Sequence, residues 1–200
     1  NKFRQLNNLI KSKRFINNLV SNVSSMIIYS KNRKYNSIIL NYNPNFENLL
    51  EWYKQLVSES LGKKGKGILP IISNMPKDNH STMQLYLDGF KNNFFTFFFL
   101  KDRESNKINN KELLDSHKFL KNKTINKIMY SQKLATERVF LKKKIPFRSF
   151  DINKLDEKTL GELFCFFILE TILIGKSLKV NPFDQPAVEL IKEETKKLLI

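Results

Sequence analysis

The sequence is 200 residues long, with 35 Lys and Arg against 19 Asp and Glu and a formal net charge of +16. That length buries the core of one ordinary domain but not of two. The basic residues are mostly lysine and are spread along the whole chain, as AT-biased coding produces. Their densest run, Lys142-Lys143-Lys144, contains no recognition motif, so the charge reads as a solvated face and not as a nucleic-acid interface. Two histidines are too few for a histidine-built metal site, and nothing calls for a cofactor. The single cysteine, Cys165, cannot form an intrachain disulfide, which points to a reducing compartment. The longest apolar runs, Phe94 to Leu100 and Leu163 to Ile174, fall short of the roughly 20 residues of a spanning helix, so a soluble cytoplasmic protein with no membrane partner is expected. The chain opens Asn1-Lys2-Phe3 with no initiator Met, targeting core or transit pattern, and a truncated start is expected.

From the N-terminus, Phe15, Ile16, Leu19, Val20, Val23, Met26 and Ile27 recur at helical spacing, and Ser37 to Tyr42 reads as a short buried strand ended by Asn43-Pro44. A helix from about Phe46 to Leu61 follows, with Gly62 as its stop. The glycine-punctuated Gly62 to Gly67 leads to apolar Ile68 to Ile72, then to a helix opened by Asp78 or Asn79. Asn93 to Leu100 is aromatic-rich and apolar throughout most of its length, the pattern of a strand covered on both faces. Helices from about Lys111 to Leu120 and Ile125 to Lys142, a strand near Phe147 to Ile152, a long apolar helix from Lys158 to Lys176 and an amphipathic one after Asp184 complete the chain. Strands alternating with helices predict an α/β fold, a three-layer αβα sandwich on a mostly parallel sheet.

Three segments carry residue types that could do chemistry. In Lys77-Asp78-Asn79-His80-Ser81, His80 falls in the first turn of the expected helix, where the dipole favours a neutral ring poised for proton transfer; a capping or packing role is the plainer reading. His117 lies on a polar helix and reads as a surface residue. Glu59 ends the second helix, where a carboxylate is disfavoured by the dipole; composition alone makes it solvated. The Gly62 to Gly67 stretch lacks the order of a nucleotide-binding loop and reads as a helix exit. Finally, in Asn181-Pro182-Phe183-Asp184-Gln185-Pro186-Ala187-Val188-Glu189-Leu190-Ile191-Lys192, Asp184 can cap a helix that stacks Gln185, Glu189 and Lys192 on one face and leaves Val188, Ile191 and Leu199 for packing.

This last segment, read with Gly175-Lys176-Ser177-Leu178 before it, resembles the C-terminal signature of the glucose-6-phosphate isomerases. Glu59-Ser60-Leu61-Gly62-Lys63 resembles the segment that carries that family's catalytic glutamate, and Asn79-His80-Ser81 the segment with its histidine, at about the spacing of the shorter bacterial members. The likeness runs from about Ser37 to the end. It implies a sugar-isomerase (SIS-like) αβα subdomain over residues 1–175 and a signature segment with a C-terminal helix over 176–200, the helix packing back toward the active cleft. It implies Glu59 as the base that moves a proton between C2 and C1, His80 and Lys192 for ring opening, Gln185 for sugar hydroxyls, and Glu189 as a support for Lys192. A sugar-phosphate substrate and a homodimer with shared sites are implied as well. The family's Ser/Thr-rich phosphate loop and Gly-Gly-Arg segment have no counterpart here, and Ile191 stands where many relatives have Gly. The rival from another class is a noncatalytic sugar-phosphate-sensing module of the same fold.

Overall fold

The computed structural model describes residues 2–101, 105–108 and 113–200. Four strands, β1 (Asn36–Asn41), β2 (Leu69–Asn74), β3 (Asn93–Leu100) and β4 (Phe147–Ile152), form one sheet in the order β2-β1-β3-β4, and every pairing is parallel. The helices are α1 (Lys2–Lys11), α2 (Lys13–Lys31), α3 (Glu47–Leu61), α4 (Met83–Asp88), α5 (Ile125–Lys142), α6 (Glu157–Leu178) and α7 (Pro186–Leu198).

Strand periodicity sorts the core into two halves, because successive side chains point to opposite faces. Ile39 of β1 with Phe94 and Phe98 of β3 meets α2, α3 and α6; Ile38, Leu40, Phe95, Phe97 and Phe99 meet α4 and α5. The result is the expected three-layer αβα arrangement. All eight residues of β3 are buried, which explains why that segment is a continuous apolar run instead of an alternating one. Phe140 of α5 packs edge-on to Phe95 and Phe97 at 4.7 and 5.4 Å, while Phe98 stacks on Phe150 at 4.9 Å. Each such ring contributes about 1.5–3 kcal/mol by burial alone.

Within the α2–α3–α6 half lies an ion pair, Arg148 with Glu170. Arg148 of β4 donates from Nε to Thr96 Oγ1 (3.0 Å), from Nη1 to Asn22 Oδ1 (3.0 Å) and to Glu170 Oε1, and from Nη2 to Glu170 Oε2 and the Tyr53 hydroxyl. A guanidinium has five N–H groups, and this one commits all five to β3, α2, α3 and α6. Burial by itself would lower the Arg148 pKa and is the largest single influence, but Glu170 and Tyr53 together outweigh it and hold the guanidinium above its ordinary value. Burial raises the Tyr53 pKa, with the Glu170 charge adding to it, so the hydroxyl stays protonated and donates to Glu170 Oε2 at 3.3 Å.

Two expectations change. Residues Lys77–His80 form a 3-10 turn, and the α-helix begins only at Met83, after Ser81 and Thr82. Asp78 causes this: its Oδ2 accepts from Ser73 Oγ and the Asn74 N–H, both at 2.8 Å, which ties the turn back to the end of β2. His80 therefore ends a short turn and has no helix dipole behind it. Of the expected helix near Lys111, Asp115–Leu120 is a 3-10 segment carrying His117, exposed as expected, and Lys111 and Glu112 lie outside the described residues.

Glu170→Ala should destabilise the chain by about 2–4 kcal/mol in urea unfolding, because it leaves a largely enclosed guanidinium without its counter-charge. Tyr53→Phe should cost about 1 kcal/mol. A loss under about 1 kcal/mol for Glu170→Ala would mean that Arg148 finds water instead.

Candidate active site

The C-terminal ends of α3 and α6 come together at the edge of the sheet where the strands begin. Glu59, half-buried in the last turn of α3, accepts two side-chain amides: Gln55 Nε2 donates to Oε1 at 2.9 Å and Gln185 Nε2 to Oε2 at 2.7 Å. The carboxylate remains partly open to water, as its composition suggested, but two amides hold it. Gln55 lies one turn before it, the i, i+4 spacing that places side chains side by side on a helix. Gln185 lies 126 residues away in sequence. Ser58, Glu59, Gly62, Lys63, Gln185, Pro186 and Val188 line a cavity of about 230 Å³.

The chain returns to this edge by way of the end of α6. The Val180 N–H bonds to the Gly175 carbonyl and the Lys179 N–H to that of Lys176, closing the helix with Lys179 in the left-handed region at φ 57°. Pro182 then lies against α6 at Gly175, where a Cβ would stand 3.2 Å from Pro182 Cβ and 3.4 Å from Leu61 Cδ2, so only glycine allows this approach without a shift. The Gly62 to Gly67 stretch is a helix exit, as read from sequence, closed by a Lys63–Lys66 bridge.

Asp184 does something other than expected. The N-cap position of α7 is Gln185, with no side-chain capping bond, and Asp184 turns instead to Lys63 Nζ (2.9 Å) and Asn181 Nδ2 (2.9 Å). Lys192 pairs with Glu189 Oε1 at 2.7 Å, on the polar face of α7 about 10 Å along the helix from Gln185. That pair is exposed on both sides, a geometry worth at most about 1 kcal/mol. No side chain of α7 is buried; Val188, Ile191 and Leu199, read as packing residues, are 42%, 70% and 82% exposed. Only the N-terminal end of the helix reaches the cleft.

His80 is exposed and sits at the opposite edge, beyond the C-terminal end of β2, whereas the Gly62 to Gly67 turn next to Glu59 feeds that strand's start. A six-residue strand separates the two by about 16 Å or more. Among the described residues, no group of three or more His, Cys, Asp or Glu could hold a metal ion, and no helix is long and apolar enough to cross a membrane.

The fold and the edge site together define the class: a parallel αβα sandwich with a hydrogen-bonded glutamate at the strand starts. A hypothetical protein of Thermus thermophilus shares the fold with a TM-score of 0.87, over 98% of this chain and 48% of that one at 23% identity. A glucose-6-phosphate isomerase of Chlamydia trachomatis shares it with a TM-score of 0.67, over 82% and 34% at 15% identity. No family model matches the chain. Sequence comparison goes further: the chain is 39% identical over 165 residues to the glucose-6-phosphate isomerase of Mycoplasmopsis pulmonis and 32% identical over 163 residues to that of Methanocaldococcus jannaschii. Over four-fifths of its length this chain is a relative of the glucose-6-phosphate isomerases. It spans about two-fifths of their length, 39% and 40% in these two cases.

The hydrogen bond from Lys63 is the leading cause that holds the Asp184 carboxyl below its ordinary pKa; slight burial opposes it, and Asn181 and the Lys63 charge add to it. A depressed folded value means that the contact stabilises the fold above the ordinary carboxylate range and is lost as pH falls through the folded value. Carbon-detected NMR titration should find Asp184 titrating below a free aspartate, and Lys63→Met should move it up toward the ordinary range, the Asn181 contact keeping part of the depression.

Proposed function

We propose that this chain is the C-terminal part of a cytoplasmic glucose-6-phosphate isomerase, acting in glycolysis and gluconeogenesis on glucose 6-phosphate and fructose 6-phosphate. The observation that carries this reading is the 2.7 Å bond between Gln185 and Glu59, because it unites two segments that resemble the family's signatures across 126 residues of sequence. The relatives named above supply the substrate class.

In this reading Glu59 is the base. It takes the proton from C2 of the opened sugar, leaving an enediol, and returns it to C1. Gln55 and Gln185 hold one oxygen each, which fixes the plane of the carboxylate and leaves a lone pair on each oxygen free to accept the proton. The Gln185 carbonyl oxygen remains available to a sugar hydroxyl. Lys192 and His80 move the protons of ring opening, one delivered to the ring oxygen and one removed from the anomeric hydroxyl, with Glu189 orienting the ammonium.

His80 cannot reach Glu59 within one chain, and this favours a symmetric dimer in which each histidine serves the other subunit's site. Residues 176–200 act as the tail that completes the site from within the chain. Phosphate anchoring and stabilisation of the enediolate fall to the remaining part of the enzyme, the part that the relatives have and these residues lack. Without it several kcal/mol of barrier stabilisation are missing, so the 200 residues alone should be nearly inactive.

The test is a coupled assay of fructose 6-phosphate conversion with the upstream polypeptide joined to this chain. Glu59→Gln should lower kcat by roughly a thousandfold. Mixing and reassociating the inactive Glu59→Gln and His80→Ala variants should restore about a quarter of the unmutated activity, since half of the dimers are mixed and one of their two sites is whole. A folded dimer without turnover would shift the assignment to a sugar-phosphate-sensing module. Dimers that exchange subunits and stay inactive would end the shared-site reading.

A further inference from the structure

Lys63 has no part in the chemistry just described, and yet its ammonium is enclosed at the edge of the site. Its side chain is only 10% exposed, and Nζ donates both to Asp184 Oδ1 and to the backbone carbonyl of Asn181. Both acceptors belong to the loop between α6 and α7. We propose that Lys63 is a positioning residue: it clamps this loop to the end of α3, sets the Gln185 amide on the Glu59 carboxylate, and fixes where the polar face of α7 stands. The inference rests on the isomerase reading of Glu59, Gln185 and Lys192.

Three observations carry it. First, α7 has no buried side chain, so apolar packing within this chain does not seat the helix, and the contacts at its N-terminal end must. Second, Lys63 lies four residues after Glu59, and Asp184 immediately precedes Gln185. The Lys63–Asp184 pair and the Gln185–Glu59 bond are therefore adjacent rungs between the same two segments, and loosening one shifts the other. Third, the loop is held at its other end as well, where Lys66 Nζ donates to the Leu178 carbonyl at 2.7 Å. Exposed ion pairs commonly contribute little. Lys63 differs in being enclosed and in having two acceptors on one loop.

Hydrogen exchange on the 200-residue chain tests the clamp without any substrate. Lys63→Met and Asp184→Asn should each speed exchange over residues 180–190 by roughly tenfold, the double variant should exchange no faster than the faster single one, and Lys63→Arg should keep the protection. Peptides from β1 and β3 should be unaffected. Unchanged exchange in both single variants, or rates that multiply in the double, would overturn the clamp. In the longer enzyme, Lys63→Met should lower kcat by roughly tenfold with KM altered less, and Lys63→Arg should recover most of the loss. An unaltered kcat would overturn the positioning role. Absence of turnover in the unmutated enzyme would remove the isomerase reading alone, because the exchange result still decides the clamp.

Discussion

One largely enclosed guanidinium, paired with the buried carboxylate of Glu170, ties together the helices that build the candidate site. Arg148 reaches Tyr53 on α3 and Glu170 on α6 from a single strand position, and these are the two helices whose C-terminal ends carry Glu59 and the exit toward Gln185. A charge taken out of water is costly unless every hydrogen bond is made, and five bonds to four residues are what make Arg148 tolerable there. The same requirement gives the network its directional content. Apolar packing of phenylalanine against phenylalanine accepts small slides of one helix over another, whereas the Arg148 fork has one geometry.

Much of the fold was legible in the sequence. The aromatic run Asn93 to Leu100 can only be a strand buried on both faces, and Gly62 and the Asn43-Pro44 pair stop their elements where the residues suggest. What misled was local chemistry competing with helix formation. Asp78 could have opened a helix, but its carboxylate satisfies Ser73 and the Asn74 N–H behind it, and the helix starts later. Asp184 had the composition of a cap and found a lysine more than a hundred residues away. Nothing in the spacing of either segment announces such a partner.

Of the candidate site, the sequence offered residue types and no geometry. Glu59, Gln185 and Lys192 stand on the segments where the resemblance put them, and the structure joins the first two. The separation of His80 from Glu59 follows from topology: a helix that returns between parallel strands delivers its end to the strand starts, and a turn that follows a strand lies at the strand ends. No motif search states which edge a residue occupies. Gln55 and Lys63 escape notice in the sequence for different reasons. Gln55 carried a usable signal in its i, i+4 relation to Glu59; the partners of Lys63 depend wholly on the return of the chain.

Four of the left-handed backbone positions outside glycine are held by basic residues. Arg33, Lys64, Lys144 and Lys179, together with Asn122, hold positive φ where glycine is the unstrained residue, and Lys179 does so where α6 ends and the chain turns toward α7. Each placement forgoes roughly 1 kcal/mol relative to an unstrained choice. None of the four strands holds a positive-φ residue. The four basic side chains are exposed, so the strain sits at turns and helix ends where a long charged side chain stands in water, and the buried sheet carries none of it.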